Sequence, residues 1–292
     1  MDHELYSYSR LSAWEQCPYG YYLTYVRHAC PCGFTGSPAD FKPKEADGQL
    51  LYECPTCHRI YTEEEFRLLT SRGIGNAFAE YGSFCHSLLE QYANGQCAPE
   101  DLADVYEFGF DSAFTMRFPK LGRTDLRESY YKKGLDFFRS FRGYPGCKLL
   151  AAEEHFIIPV GDFRLQGFID LQYEDEAGRL VCQDYKSKAV MHKSELPKYA
   201  RQLYLYSAYM QEKYGHFPDV LRFSLFREKK LIDIPFREED YQEALDWAQQ
   251  TVDSIRAAWQ YPTEPDNFYC LRLCDQRMNC EYGSFDAWRK SS

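Results

Sequence analysis

Between residues 149 and 188, apolar and polar side chains alternate with a period of two, the spacing of a pleated strand. Three segments carry this pattern: LLAAEEHFIIPV (149–160), DFRLQGFIDLQYED (162–175) and GRLVCQDYKSK (178–188). They are joined by GD and EDEAG, both turn-forming, and so predict a β-meander. Before the meander, the period of an amphipathic helix runs through residues 63–95, ending at Gly95, and again near 99–118 and 125–142, on either side of PKLGR. After it, helices are predicted near 195–214 and 237–259, with a hairpin between them formed by VLRFSLFRE and KLIDIPF. Residues 7–26 predict a short capped helix with Leu11 and Trp14 inward, broken near Pro18, and residues 262–286 are irregular. No internal repeat is visible. The fold class expected is α/β, a mixed central β-sheet flanked by helices.

Residues 28–62 interrupt this pattern with Pro, Gly, Asp and Lys between paired cysteines, the signature of an insertion. The expected organisation is therefore an N-terminal segment (1–27), an inserted module (28–62) and a main domain (63–292). A chain of 292 residues, 45% apolar and 27% charged, can bury a full core. Its net charge of −10 excludes coating of nucleic acid through bulk positive charge. An acidic site that meets phosphate through metal cations remains compatible with it. The opening MDHELYSYSR has no apolar signal region, and no apolar run reaches membrane-spanning length. A cytoplasmic protein without membrane partners is expected.

In such a compartment the twelve cysteines are better read as metal ligands than as a disulfide framework. Cys85, Cys97, Cys147 and Cys182 are scattered and suit small buried apolar positions. Cys30, Cys32, Cys54 and Cys57 form two pairs on tight turns, CPCG and CPTC, and look like a zinc ribbon, although CPCG is one residue shorter than the usual pair. His28 and His58 flank the pairs as alternative ligands; the rival reading is an exposed loop with reactive thiols. A ribbon here would contact DNA or a partner protein.

On the second and third strands of the meander, Asp170 ends GFID, and Asp184 and Lys186 stand two residues apart in DYK. Alternate residues share a strand face, and a hairpin around EDEAG brings Asp170 near Asp184. Two such carboxylates make a hard-oxygen site for Mg²⁺ or Mn²⁺, with a lysine to orient water or stabilise phosphate charge. The alternative is a solvated strand face with a surface ion pair. Glu153 and Glu154, on the preceding strand, read as solvated edge, or as groups lying behind the ligands.

GFID, with its acid fourteen residues upstream of the DYK acid, resembles the core of the PD-(D/E)XK nuclease superfamily. YGSFCHSLLEQY resembles the Gly-x-x-x-His helix of its RecB-type branch, with Gly82 and His86, and QLYLY the Gln-x-x-x-Tyr helix, with Gln202 and Tyr206. The four motifs stand in that branch's order. The resemblance implies a restriction-endonuclease-like core in which His86, Asp170, Asp184 and the backbone carbonyl of Tyr185 bind the catalytic metal. Lys186 would position the water, and Gln202 and Tyr206 would support the site and contact DNA. The second acid is Asp here, where Glu is commoner.

One cysteine before the core, Cys17, and three after it, Cys270, Cys274 and Cys280, resemble the iron–sulfur staple of RecB-type exonucleases of the AddB and CRISPR-adaptation kind. That likeness implies a [4Fe–4S] cluster. The tail spacing is C-x3-C-x5-C where C-x2-C-x5-C is usual, and zinc on the same ligands is the rival. The function implied is a metal-dependent DNA nuclease, and first an exonuclease acting on free, often single-stranded DNA ends in recombination, repair or phage DNA metabolism, with protein partners from a recombination or replication machinery. The alternatives are a structure-specific endonuclease and a non-catalytic module that binds DNA ends or proteins.

Overall fold

The computed structural model describes residues 4–27, 30, 32, 34, 40–46, 48–63, 65–66, 75–119, 122–277, 280 and 282–283. The chain divides into two compact units, Met1–Glu15 with Ala77–Ala258, and Gln16–Asn76 with Trp259–Ser292.

The first unit is built on a six-stranded mixed sheet of β1 (Leu5–Ser7), β5 (Lys148–Val160), β6 (Phe163–Glu174), β7 (Leu180–Tyr185), β8 (Val220–Leu225) and β9 (Lys230–Pro235). The predicted meander and hairpin are present as β5–β6–β7 and β8–β9. The crossover helix α6 (Leu196–Tyr214) returns the chain so that β7 and β8 run parallel, as such a connection requires. It stops at Gly215, whose φ of +83° is the left-handed conformation of a helix C-cap.

Helices cover both faces. On one, α6 and α7 (Glu238–Ala257) bury Leu203, Met210, Ala248 and Val252 against Leu165, Cys182 and Leu221. On the other, α3 (Ala77–Ala93), α4 (Leu102–Gly109) and α5 (Leu126–Ser140) pack Tyr81, Leu88, Tyr106 and Phe138 against Tyr173, Val181 and Tyr185. The Asp125 carboxylate caps α5 by accepting from the Glu128 amide at 3.0 Å. Of the scattered cysteines, Cys85 and Cys182 are buried and Cys97 and Cys147 half-buried.

Besides a short helix in the stretch 262–286 expected to be irregular, three elements differ from the sequence expectation. Leu5–Ser7 is a strand, pairing in parallel with Arg164–Gln166; three residues are too few for periodicity to show. The helix expected over 63–95 is interrupted: residues 63, 65 and 66 are helical and Ala77–Ala93 is a helix, but Gly75, at φ +64°, and Asn76 are not helical, and residues 67–74 lie outside the described part. The helix expected near 99–118 ends at Gly109, after which the chain turns and stacks Phe114 on Tyr81. Burying that ring outweighs the local preference to continue.

In the second unit, α1 (Tyr8–Gln16), which begins in the first, gives way to α2 (Pro18–Tyr21) and a wide turn over Tyr22–Val26. The break falls at Pro18 as expected, with Leu11 buried and Trp14 half-buried. A three-stranded antiparallel sheet follows, β2 (Lys42–Ala46), β3 (Gln49–Glu53) and β4 (Ile60–Thr62), and α8 (Asn267–Arg272) lies near the end of the chain. Among the described residues, no helix is long and apolar enough to cross a membrane.

Candidate metal centre and active site

Strand β6 is long enough to serve three partners. Strand β5 runs along one edge, while β1 at Arg164–Gln166 and β7 at Leu171–Glu174 share the other. The last β6–β7 pair is Leu171 with Gln183, so the strands part where Asp170 and Asp184 would have faced each other. Beyond that point β7 is held by β8, through Asp184 opposite Phe223 and Tyr185 opposite Ser224. The Asp170 carboxylate spans the opening and accepts from the Tyr185 amide at 2.6 Å.

Helix α3 brings His86 to this opening. Its buried stripe of Ala77, Tyr81, Cys85, Leu88 and Leu89 sets the helix against the sheet and turns the flank carrying His86 toward the strand ends. His86 Nε2 lies 3.0 Å from the Tyr185 carbonyl oxygen, and Nδ1 lies 3.4 Å from Glu153 Oε1 and 3.5 Å from Asp170 Oδ2. One turn earlier, a Cβ at Gly82 would meet only Ser187 Oγ at 3.8 Å, so the helix leaves open space on this side.

Asp184 is organised from the opposite side, by α6. Gln202 Nε2 donates to Asp184 Oδ1 at 2.8 Å and to the Tyr206 hydroxyl at 3.0 Å, while Gln202 Oε1 accepts from Lys186 Nζ at 2.9 Å. Residues 202 and 206 stand one helical turn apart, as the i, i+4 spacing anticipates. Both are buried, so their polar atoms serve the site's own residues. Lys186 Nζ also lies 2.8 Å from the buried Asp184 Oδ2 and pairs with it.

The charges press on one another. Burial raises the Asp170 pKa and the negative charge of Asp184 raises it further, against the pull of His86. Burial works to neutralise His86, but Asp170, Glu153 and Asp184 overcome it and push its pKa up to about 9. Lys186 is likewise raised, burial being overcome by Asp184. It therefore stays an ammonium. Three carboxylates thus converge where only a half-buried imidazole and one ammonium balance them, which is the electrostatics of a cation site.

His86, Glu153 and Asp170 offer ligand atoms that all lie within 4.8 Å of one another. This nitrogen–oxygen–oxygen set fits a divalent cation such as Mn²⁺ or Mg²⁺, and Asp184 Oδ2, paired with Lys186, keeps a further lone pair. Glu153 is the residue that sequence reading left at the strand edge. It stands across β5–β6 from Asp170, at φ +46°, a conformation rare for a non-glycine residue. No periodicity announces such a backbone. Its neighbour Glu154 does otherwise: it accepts from Lys213 Nζ at 2.5 Å and from Gln172 Nε2 at 2.7 Å.

Of the cysteines, Cys30, Cys32, Cys54 and Cys57 form a second close group. Cys30 and Cys57 sulfurs lie 3.5 Å apart, and those of Cys32 and Cys54 3.7 Å. Tetrahedral zinc with Zn–S bonds near 2.3 Å sets its sulfurs about 3.8 Å apart, so the four sulfurs fit that ion. The CPTC turn is closed by the His58 amide donating to the Cys54 carbonyl at 3.0 Å, with His58 at φ +60°. The His58 ring is engaged by Glu53 at 2.6 Å; His28 lies outside the described residues. Cys17, Cys270, Cys274 and Cys280 are spaced more widely, for no three of them come within 4.8 Å of one another. They sense one another nonetheless: burial pushes the Cys274 thiol up to about 11, with Cys280, Cys270 and Cys17 adding to the shift.

A family model of the PD-(D/E)XK nuclease superfamily matches residues 47–281. The match covers most of the chain, and the protein belongs to that superfamily, whose members are metal-dependent nucleases. No curated protein matches the chain.

Proposed function

We propose that this protein is a metal-dependent DNA nuclease of the RecB-type branch, acting as an exonuclease on DNA ends. The observation that carries the reading is the joining of two half-sites at the parting of β6 and β7: His86, Glu153 and Asp170 on one side, and Asp184, Lys186 and Gln202 on the other. His86, Glu153, Asp170 and Asp184, with the Tyr185 carbonyl, would hold Mg²⁺ or Mn²⁺, which when bound polarises the phosphate and makes water a stronger nucleophile. Lys186, an ammonium with three donors, directs two of them to Asp184 and Gln202 and keeps one for a water or a phosphate oxygen. Its role is therefore to position and stabilise rather than to accept a proton. Gln202 fixes the angle between Asp184 and Lys186, and Tyr206 fixes Gln202.

In spite of the net charge of −10, residues 186–201 offer DNA a basic run of Lys186, Lys188, Lys193, Lys198 and Arg201, although Lys188 pairs with Glu195 and both Lys198 and Arg201 with Glu15. The ribbon cysteines would hold structural zinc. Cys17, Cys270, Cys274 and Cys280 would hold a [4Fe–4S] cluster, for which four thiolates are the right number.

The test is cleavage of linear and circular single-stranded DNA with Mg²⁺ or Mn²⁺, beside the Asp184→Ala variant. Degradation of linear DNA alone, lost in the variant, is expected. Cleavage of circles removes the exonuclease assignment, and cleavage unchanged in Asp184→Ala removes the site. Iron and sulfide in anaerobically purified protein, with visible absorption that fades on oxidation, are expected; zinc at these cysteines overturns the cluster.

A further inference from the structure

Next to Asp170, strand β6 presents an exposed ring. Gly167 and Ile169 turn into the core beneath α6, with Gly167 against Tyr206, so Phe168, Gln166 and Arg164 take the opposite face of the sheet, the one that α3 covers and His86 approaches. The pairing with β5 sets His155 opposite Phe168. The two rings meet at 4.7 Å between centroids and 37° between planes, and His155 Nε2 lies 3.4 Å from Gln166 Oε1.

Phe168 is 54% exposed. A single exposed ring is ordinary on a protein surface. This one differs from Phe108 and Trp259, which are also exposed, in two respects. It is braced by a second ring, and its Cα stands two strand residues, about 6.7 Å, from that of Asp170, a member of the metal group. That separation is about two stacked nucleotide steps of 3.4 Å. On the edge of β6 away from β5, residues 167–170 have no strand partner among the described residues, because pairing with β1 ends at Gln166 and pairing with β7 begins at Leu171.

We propose that Phe168, braced by His155, is a stacking platform for one unpaired nucleobase of the substrate strand, one or two nucleotides from the phosphate at the metal centre. The inference rests on the nuclease reading and deepens it. The flat face of a nucleobase matches an exposed ring whose partner holds it in orientation, and such stacking is indifferent to sequence. A base within a duplex is already stacked on its neighbours and cannot use the ring. Phe168 therefore biases the site toward single-stranded DNA.

The experiment measures binding of short single-stranded oligonucleotides in EDTA, so that no cleavage intervenes, and then cleavage with Mn²⁺. Phe168→Ala is expected to weaken single-strand binding roughly 5- to 100-fold and to leave duplex binding unchanged, while Phe168→Trp restores affinity and shows tryptophan quenching on binding. An abasic nucleotide scanned along the oligonucleotide is expected to weaken binding to wild type at one position, and at that position to have no effect on Phe168→Ala. Equal single-strand binding by wild type and Phe168→Ala, or losses that simply add at every position, overturns the platform while leaving the nuclease intact. Wild type that neither binds nor cleaves DNA overturns both.

Discussion

The acidic centre and the four-cysteine ribbon are both metal-shaped sites, but they are built in opposite ways. The acidic centre draws His86 from α3, Glu153 from β5, Asp170 from β6, Asp184 and Lys186 from the end of β7, and Gln202 from α6. Each side chain is held by a sheet and helices with large cores of their own. The four-cysteine group takes all its sulfurs from residues 30–57, and among the described residues its buried cluster is Cys30, Phe41, Cys54 and Tyr61, two of them members of the group. In the first, the fold makes the site. In the second, a bound metal would make the fold.

The largest effect that follows is on catalysis. Asp184→Asn keeps the shape of the side chain and its contact with Gln202 but removes the charge, and is expected to reduce DNA cleavage on the order of 10³-fold with an unchanged circular dichroism spectrum. Unfolding of the domain by this variant would contradict a centre supported by its own scaffold. The reverse is expected of Cys54→Ser, or of strong chelation: the ribbon unfolds and becomes sensitive to protease near residues 40–62, while the Ala77–Ala258 region stays protected. A ribbon that survives chelation would show that Phe41 and Tyr61 suffice without metal.

This difference decides what a sequence reveals. The ribbon ligands are near neighbours on tight turns, so their spacing alone points to a metal. The meander β5–β6–β7 and the hairpin β8–β9 are also legible, because they join strands consecutive in the chain through short turns. Asp170, Asp184 and Lys186 are legible because a single turn, EDEAG, joins their strands, and His86 and Gln202 because they fall in motifs of a known family. Glu153 was hidden, since its role depends on a left-handed backbone in mid-strand that only the tertiary structure imposes. The strand Leu5–Ser7 was hidden too: it pairs with residues about 160 positions away, and no local pattern encodes such a pairing.

Glu153 gives the next test of the comparison. If it is a ligand, Glu153→Gln weakens Mn²⁺ binding by roughly 10- to 100-fold, the range seen when a group that supports a metal centre is removed, and cleavage recovers at high Mn²⁺. Calorimetric titration of metal into the variant checks this. Unchanged Mn²⁺ affinity returns Glu153 to a partner of His86 alone.

The smallest effect is one of stability, and it separates a site built against its own charges from one held together by them. Burial and the neighbouring Asp184 raise the Asp170 pKa above its ordinary 3.8. Above that value the unfolded chain has released this proton while the folded protein still holds it, so the folded state binds more protons and loses stability as pH rises. His86 has an ordinary value of 6.5 and is raised in the fold, so below about pH 6 it is protonated in both states and adds no slope. In metal-free protein, Asp170→Asn should therefore gain melting temperature relative to wild type as the pH goes from about 4 to about 6. Metal reverses the ranking, because bound Mn²⁺ stabilises only the protein that keeps the charge. A difference that is flat with pH in EDTA would mean that Asp170 keeps its ordinary acidity in the fold, and that its hydrogen bond from the Tyr185 amide outweighs burial and the charge of Asp184.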